Sequence, residues 1–268
     1  MKAIILGSRG FIGSHLVQRL KELQFEVIEW HHDDELWLID ENDKIDYIFH
    51  LASYGNHYNQ QDIAQTVGAN ISTLIRILEL TKDIKYKTFI NFSTSSVTLP
   101  VKTLYAATKE GGEAICQAYS QKYDKHIISI RPFSVYGPGE AEFRFIPTVI
   151  KSILKEEVIQ LVPEATHDWI FVEDFIDFLL KVVGLGKFVT DRVIEIGTGV
   201  ATSNSDIVYM LSEIIGKTPK VEIINQLRSY DTSNWKSDII PIREYGFLPK
   251  YSLREGLTKT YADFQSKF

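Results

Sequence analysis

Tyr105 and Lys109 lie four residues apart in the stretch Tyr105-Ala106-Ala107-Thr108-Lys109. On a helix that spacing brings two side chains onto one face. A free phenol keeps its proton up to about pH 10, too high for ready exchange near neutrality. A neighbouring ammonium favours the phenolate and brings that value down. Such a phenol can give a proton to a carbinol oxygen, or take one from it, while a hydride moves at the attached carbon. A tyrosine and a lysine at this spacing are also a common surface pair, so the chemistry needs a third group. The apolar run Thr88-Phe89-Ile90-Asn91-Phe92 leads straight into Ser93-Thr94-Ser95-Ser96. Hydroxyls at the C-terminal end of a parallel strand line the crevice where open α/β sheets bind ligands. One of these hydroxyls can hydrogen-bond the reacting oxygen.

A hydride needs a carrier, and the first residues offer a place for one. Gly7-Ser8-Arg9-Gly10-Phe11-Ile12-Gly13 follows an apolar strand pattern and opens a helical one. In that context the turn's backbone N–H groups and the helix dipole point at a pyrophosphate. The first glycine permits the turn, the second lets the ligand approach the backbone, and the third lets the helix pack on the strand. This predicts a bound dinucleotide, with Gly7, Arg9, Gly10, Phe11, Ile12 and Gly13 around it. An acidic residue at the end of the second strand would mark NAD. Here Phe25-Glu26-Val27-Ile28-Glu29-Trp30 ends at His31-His32. His31 then faces the adenosine end, and Arg9 can meet a 2′-phosphate, while Asp33, Asp34 and Glu35 oppose one. NAD and NADP both stay open, with the lean toward NADP.

These groups need a frame to hold them. Short apolar runs at 2–6, 25–30, 46–51, 88–93, 126–131 and 192–196 read as strands. Helical patterns cover 11–23, 63–82, 105–123, 143–155, 173–183, 204–215 and 252–266. Buried strands alternating with helices predict a parallel sheet covered on both faces. The fold class expected is α/β, a Rossmann doubly wound sheet with a small C-terminal substrate-binding lobe. Residues 1–165 would mainly hold the dinucleotide and 166–268 mainly the substrate, with the chain crossing between the two. Leu36-Trp37-Leu38-Ile39 reads as a compressed third strand. The 268 residues are 44% hydrophobic and 24% charged, the balance of a soluble globular chain. A net charge of −6 argues against a nucleic-acid binder. Cys116 stands alone, so no internal disulfide forms, and it reads as a structural thiol. No stretch approaches the roughly 20 apolar residues of a membrane span, and no signal peptide pattern opens the chain. A cytoplasmic protein without a membrane or metal partner is expected.

Taken together, these motifs resemble the extended short-chain dehydrogenase/reductases, the sugar-nucleotide epimerase/dehydratase family. The resemblance runs over nearly the whole chain. It implies that Thr94, Tyr105 and Lys109 are catalytic, and that Tyr105 and Lys109 also line the cofactor. His50-Leu51-Ala52 is similar to the segment after the family's fourth strand, which places Leu51 and Ala52 on the cofactor. Asp40 resembles the acidic residue that meets adenine, and Asn70 resembles a helix asparagine of the family. Arg131-Pro132-Phe133-Ser134-Val135-Tyr136-Gly137-Pro138-Gly139 looks like the segment where the nicotinamide end meets the sugar. Pro132 is thereby assigned to the cofactor and Ser134 to the substrate. His167-Asp168-Trp169-Ile170-Phe171-Val172-Glu173-Asp174 and Ile196-Gly197-Thr198-Gly199 also match in order. Arg228 and Asp231 resemble the arginine and aspartate near the nucleotide diphosphate.

Departures from the pattern narrow the chemistry. Dehydratases of the family carry Asp and Glu after the catalytic threonine, where this chain has Ser95 and Ser96. Neither serine is an acid or base near neutral pH, so dehydration is not expected. Ser134 and His167 replace an asparagine and an arginine, which weakens the hold on a diphosphate; Arg144 or Arg228 can compensate. Ser95, Ser134, Arg144, His167 and Arg228 form the expected substrate set. The short span between Thr94 and Tyr105 is similar to that of small 4-keto-sugar reductases. The expected activity is therefore reduction at C4 of a 4-keto-6-deoxy sugar nucleotide. The alternative is a nucleotide-sugar C4 epimerase with tightly bound NAD. From another class, a non-catalytic NAD(P)-sensing binding protein would have no need of Tyr105 and Lys109. Helices at 63–82 and 105–123 resemble those of the family's dimer interface, so a homodimer is expected.

Overall fold

The computed structural model describes residues 1–30, 44–57, 59–224 and 234–267. In chain order the first elements are β1 (Lys2–Leu6), α1 (Phe11–Glu22), β2 (Glu26–Trp30), β3 (Tyr47–His50), α2 (Ile63–Val67), α3 (Thr73–Thr81), β4 (Thr88–Phe92), α4 (Leu104–Tyr123) and β5 (Ile127–Pro132). Then follow β6 (Ser134–Tyr136), α5 (Phe145–Lys155), β7 (Val158–Leu161), β8 (Thr166–Phe171), α6 (Val172–Leu185), β9 (Val193–Ile196), β10 (Ala201–Ser203), α7 (Asn204–Ile215), β11 (Lys220–Ile223), α8 (Ile240–Glu244) and α9 (Leu253–Gln265). Leu36–Ile39, read above as a strand, lies outside the described residues. The chain divides into two compact units, Met1–Pro132 with Phe178–Glu195, and Phe133–Asp177 with Ile196–Phe268.

The first unit is built on a six-stranded sheet of order β2-β1-β3-β4-β5-β9. The pairings from β2 through β5 are parallel. Every residue of β3 and β4 is buried, as continuous apolar strands covered on both faces must be. Ile4, Leu6, Ile48 and Phe89 pack with Leu74, Ile77 and Leu78 of α3 and with Cys116 of α4. The expected doubly wound α/β sheet is the observed one. At its N-terminal turn, Gly7 has φ +87°, and a Cβ there would lie 2.7 Å from the Ala52 nitrogen. A Cβ on Gly13 would lie 2.1 Å from the Gly7 carbonyl oxygen, so the first turn of α1 can pack on the loop only with a glycine there.

The single helix expected over 63–82 forms as α2, one π-helical turn at Gly68–Ser72, and α3. π turns inside helices commonly mark functional positions. This one carries Asn70, whose side chain leaves the helix to hold a neighbouring loop.

The second unit has β8 between β6, parallel, and β10, antiparallel, with a separate parallel pair β7 and β11. These strands escaped the sequence reading because they are three to six residues long and carry little apolar periodicity. The core joins Tyr136, Ile150, Trp169 and Phe171 to Ile207 and Leu211 of α7 and Leu257 and Phe264 of α9. Both α7 and α9 open with capping boxes, Ser203 with Asp206 and Ser252 with Glu255. Asp168, fully buried, ties the unit together. It accepts hydrogen bonds from Thr198 N at 2.6 Å and Oγ1 at 2.7 Å, Gly199 N at 2.9 Å, and Ser237 N at 3.0 Å and Oγ at 2.7 Å.

An asparagine at 168 would turn an amide N–H₂ toward some of these donors. Buried unsatisfied groups cost roughly 1–3 kcal/mol each, so Asp168→Asn is expected to lose about 2–4 kcal/mol in urea denaturation. An unchanged midpoint and slope would refute the role given to Asp168.

Candidate active site

In the first unit, Thr103 starts α4 by accepting the Ala106 N–H on its hydroxyl at 3.2 Å. This cap sets Tyr105, half-buried, in the first turn and Lys109 one turn further. Lys109 is only 3% exposed. Burial pushes its ammonium down to about 8, while Cys116 and Glu113 act in the opposite direction. Below the amine's helix face lies a polar layer on the sheet. His50 Nδ1 is 3.4 Å from Asn91 Oδ1, and Asn91 Nδ2 donates to Ser129 Oγ at 3.1 Å. Burial, together with the charge of Lys109, pushes His50 down to about 3, so the ring is neutral.

The strand end of β4 delivers the hydroxyls. Thr94 caps a 3-10 turn at Ser95–Thr98, accepting the Ser96 N–H at 3.2 Å. Its Oγ1 also stands 3.2 Å from Ser96 Oγ. Ser95 is buried, and its carbonyl accepts the Thr98 hydroxyl at 2.8 Å. Ser93 Oγ is enclosed without a hydrogen-bond partner.

Asn70 joins the loop after β3 to α4. It accepts the Tyr54 N–H at 3.0 Å, and its amide donates to the Tyr54 carbonyl at 2.8 Å and to Thr108 Oγ1 at 2.9 Å. Thr108 in turn donates to the Tyr105 carbonyl at 2.9 Å. Asn70 therefore fixes both the loop and the turn that carries Tyr105. It does so from the π-helical turn, whose irregular backbone no amphipathic pattern announces. Glu113 is not marked by its sequence context, although it stands four residues past Lys109. Arg131 grips it with two bonds, Nε to Oε1 at 2.8 Å and Nη2 to Oε2 at 2.7 Å.

The glycine loop fits a pyrophosphate on its own geometry. No side chain caps α1 at Gly10. The first-turn N–H groups, those of Phe11 and Ile12 among them, precede the helix's own hydrogen bonds. Gly10 is exposed, and Ser8 Oγ is buried with no partner, an orphan that points to an absent acceptor or donor. Leu51 N and Ala52 N both donate to the Leu6 carbonyl, which places the segment after β3 against Gly7. Arg9 is exposed beside this loop, and Pro132 ends β5. His31 and Asp40 lie outside the described residues.

In the second unit, Ser134 Oγ and His167 Nδ1 stand 3.4 Å apart. The His167 ring lies between Trp169 and Trp235, with centroids at 5.4 and 5.3 Å. Arg144 is exposed at the start of α5. Glu140 lies near Arg144; burial raises its carboxyl to about 8 and Arg144 opposes that rise. Arg228 lies outside the described residues. Among the described residues, no group of three or more His, Cys, Asp or Glu could hold a metal, and no helix is long and apolar enough to cross a membrane.

A model of the NAD dependent epimerase/dehydratase family matches residues 3–197. The chain belongs to this family. An uncharacterized UDP-glucose epimerase of Bacillus subtilis is 25% identical over all of this chain and 99% of its own length. A UDP-glucuronate 4-epimerase of Thermodesulfobacterium geofontis is 28% identical over 91% of this chain and 80% of its own. Among solved structures, UDP-glucuronic acid 4-epimerase from Bacillus cereus, in complex with UDP-glucuronic acid and NAD, aligns with a TM-score of 0.88 and 25% identity over the full length of both chains. The alignment to the Bacillus subtilis protein runs over 320 positions, so that family member carries insertions that this 268-residue chain lacks. The lean toward NADP finds no support among these relatives.

The buried amine gives a pH test with a definite sign. Lys109 titrates near 8 when folded, against about 10.4 in an unfolded chain. Between those values the unfolded chain holds more protons, so stability rises with pH across that window. Below pH 8 the burial costs roughly 3 kcal/mol. Lys109→Met is expected to exceed the wild type in stability by up to that amount at pH 7, with the gap closing toward pH 10. A gap that stays constant from pH 7 to 10 would show that Lys109 is not the buried cation.

Proposed function

We propose that this protein is a nucleotide-sugar C4 epimerase that works with tightly held NAD. The observation that supports the reading is the Tyr105–Lys109 pair one turn apart on α4, a helix in contact with β4 and the Ser95–Thr98 turn after it, in a chain whose full length follows 4-epimerases. The 4-keto-6-deoxy sugar nucleotide reductase expected from the short Thr94–Tyr105 span gives way to this alternative. That span belongs to a chain that lacks insertions its Bacillus subtilis relative carries, and the relatives reported above are named epimerases. The non-catalytic sensor is not retained, since the family is one of enzymes.

In this reading NAD, when bound, supplies a hydride acceptor that also serves as the donor on return. Gly7, Gly10, Phe11, Ile12 and Gly13 hold its pyrophosphate by backbone N–H groups, with Arg9, Leu51, Ala52 and Pro132 around it. Thr94 donates to the C4 oxygen of the sugar and orients it. Tyr105 takes the proton of the C4 hydroxyl as C4 becomes a ketone. Lys109, one turn away, stabilises the phenolate by its charge. After the keto sugar has turned its other face, Tyr105 returns the proton and C4 is left inverted. Ser95 and Ser96 have no titratable group near neutral pH, so the 4-keto sugar is not led into loss of water. The residues assigned to the substrate, Ser95, Ser134, Arg144, His167 and Arg228, lie mostly in the second unit, which we assign to the sugar nucleotide.

The test is an assay with UDP-hexoses and UDP-hexuronates, beside analysis of the nucleotide released on denaturation. Conversion to the C4 epimer is expected with no net change in cofactor, together with release of NAD. Tyr105→Phe is expected to lower turnover by about 10²-fold or more with the fold intact. Stoichiometric consumption of NADPH on a 4-keto sugar nucleotide, or full activity of Tyr105→Phe, overturns the reading.

A homodimer belongs to the same proposal. Ile63 on α2, Ile75 on α3 and Leu104 on α4 are exposed large apolar residues of the first unit, and a second copy would cover them. Sedimentation at micromolar concentration should give twice the monomer mass of 30.7 kDa; a single monomer species would refute it.

A further inference from the structure

Proton transfer at Tyr105 makes no direct use of the enclosed ion pair one turn beyond Lys109. Glu113 is 8% exposed, and the Arg131 fork uses both of its oxygens. Arg131 also reaches Glu195 of β9 at 3.5 Å. Charges therefore alternate in sign from one group to the next: Lys109 and Glu113 one turn apart on α4, Arg131 on β5, Glu195 on β9. The four formal charges cancel. The fork fixes the plane of the Glu113 carboxylate, so Glu113 acts on Lys109 through its field rather than by a mobile contact.

We propose that Glu113, clamped by Arg131, is a positioning residue that keeps Lys109 cationic while Tyr105 works. The groups facing the amine leave few alternatives. From β3 comes His50, held neutral by burial. From β4 and β5 come the uncharged Asn91 and Ser129. From α4 itself come Tyr105, the phenol that Lys109 serves, and Cys116, whose thiol burial pushes up to about 12, so it carries no charge while Lys109 titrates. Glu113 is then the anion among these groups that opposes the burial of the amine. Arg131 has two effects: it holds that anion in place, and its own charge would repel Lys109 if the anion were removed. The same pair thus sets the upper pH limit of the reaction, where Lys109 loses its proton. This rests on the catalytic reading of Lys109, but the coupling itself can be measured without substrate or cofactor.

The experiment titrates the ε-carbon of Lys109 by ¹³C NMR in cofactor-free protein carrying labelled lysine, with Lys109→Met identifying the signal. Three proteins are compared: wild type, Glu113→Gln, and Glu113→Gln/Arg131→Gln, which removes the guanidinium that loses its Glu113 partner and so serves if the single variant does not fold. Near-UV circular dichroism checks packing. The Lys109 midpoint is expected to fall by about one pH unit in Glu113→Gln, and by less in the double variant. The alkaline limb of kcat/KM should move down by the same interval. An unmoved midpoint in a folded variant overturns the proposal. A moved midpoint with an unmoved alkaline limb upholds the coupling and overturns the catalytic reading of Lys109.

Discussion

A positive charge held almost entirely out of water, at Lys109, is the constraint on which the first unit depends. Burying an ammonium is unfavourable unless its surroundings are arranged for it. The arrangement here takes in residues from four elements: neutral His50 on β3, Asn91 on β4, Ser129 and Arg131 on β5, Glu113 on α4. The strand order is what brings them together. With β4 between β3 and β5, the polar side chains His50, Asn91 and Ser129 line up in register across three parallel strands. A sheet in any other order would leave these groups without one another. Stability is conceded at this position, a concession that a functional role would explain.

The candidate site was legible in the sequence where the chemistry proposed for it depends on residue type and local spacing. Tyr105 and Lys109 were legible because one helical turn separates them. The glycine loop was legible because Gly7 and Gly13 stand where a Cβ would strike backbone. Thr94 was legible as a hydroxyl that ends an apolar run. Roles that depend on long-range geometry stayed hidden. Asn70 was named through the family resemblance, but its bridge between residues 16 and 38 positions away, made from a π-helical turn, was not legible. Arg131 was quoted as part of a motif, but its grip on Glu113 follows from α4 packing on β5 and from nothing in either segment alone. In the second unit, three-residue strands such as β6 and β10 have too few positions to show a period.

The choice between reduction and epimerisation illustrates the same limit. Both reactions ask the same proton transfer of Tyr105, and differ in whether the keto sugar leaves or turns within the site. That difference is one of pocket shape, and local residue types do not encode it. The short span between Thr94 and Tyr105 is therefore a weak guide to the choice, because it reports chain length and not which step ends a cycle.

The Asp168 junction bears on how the chain is made. Its donors arrive 30, 31 and 69 residues after it. During synthesis a carboxylate destined for complete enclosure stays hydrated until Thr198, Gly199 and finally Ser237 have been added. The first unit has a similar dependence, since its edge strand β9 follows β5 by some sixty residues that belong mostly to the other unit. Neither unit can close early from the N-terminus. Loss of the segment around Ser237 would thus undo β8 and its neighbours as well as the C-terminus, and the second unit is completed only after the last strand of the first has been made.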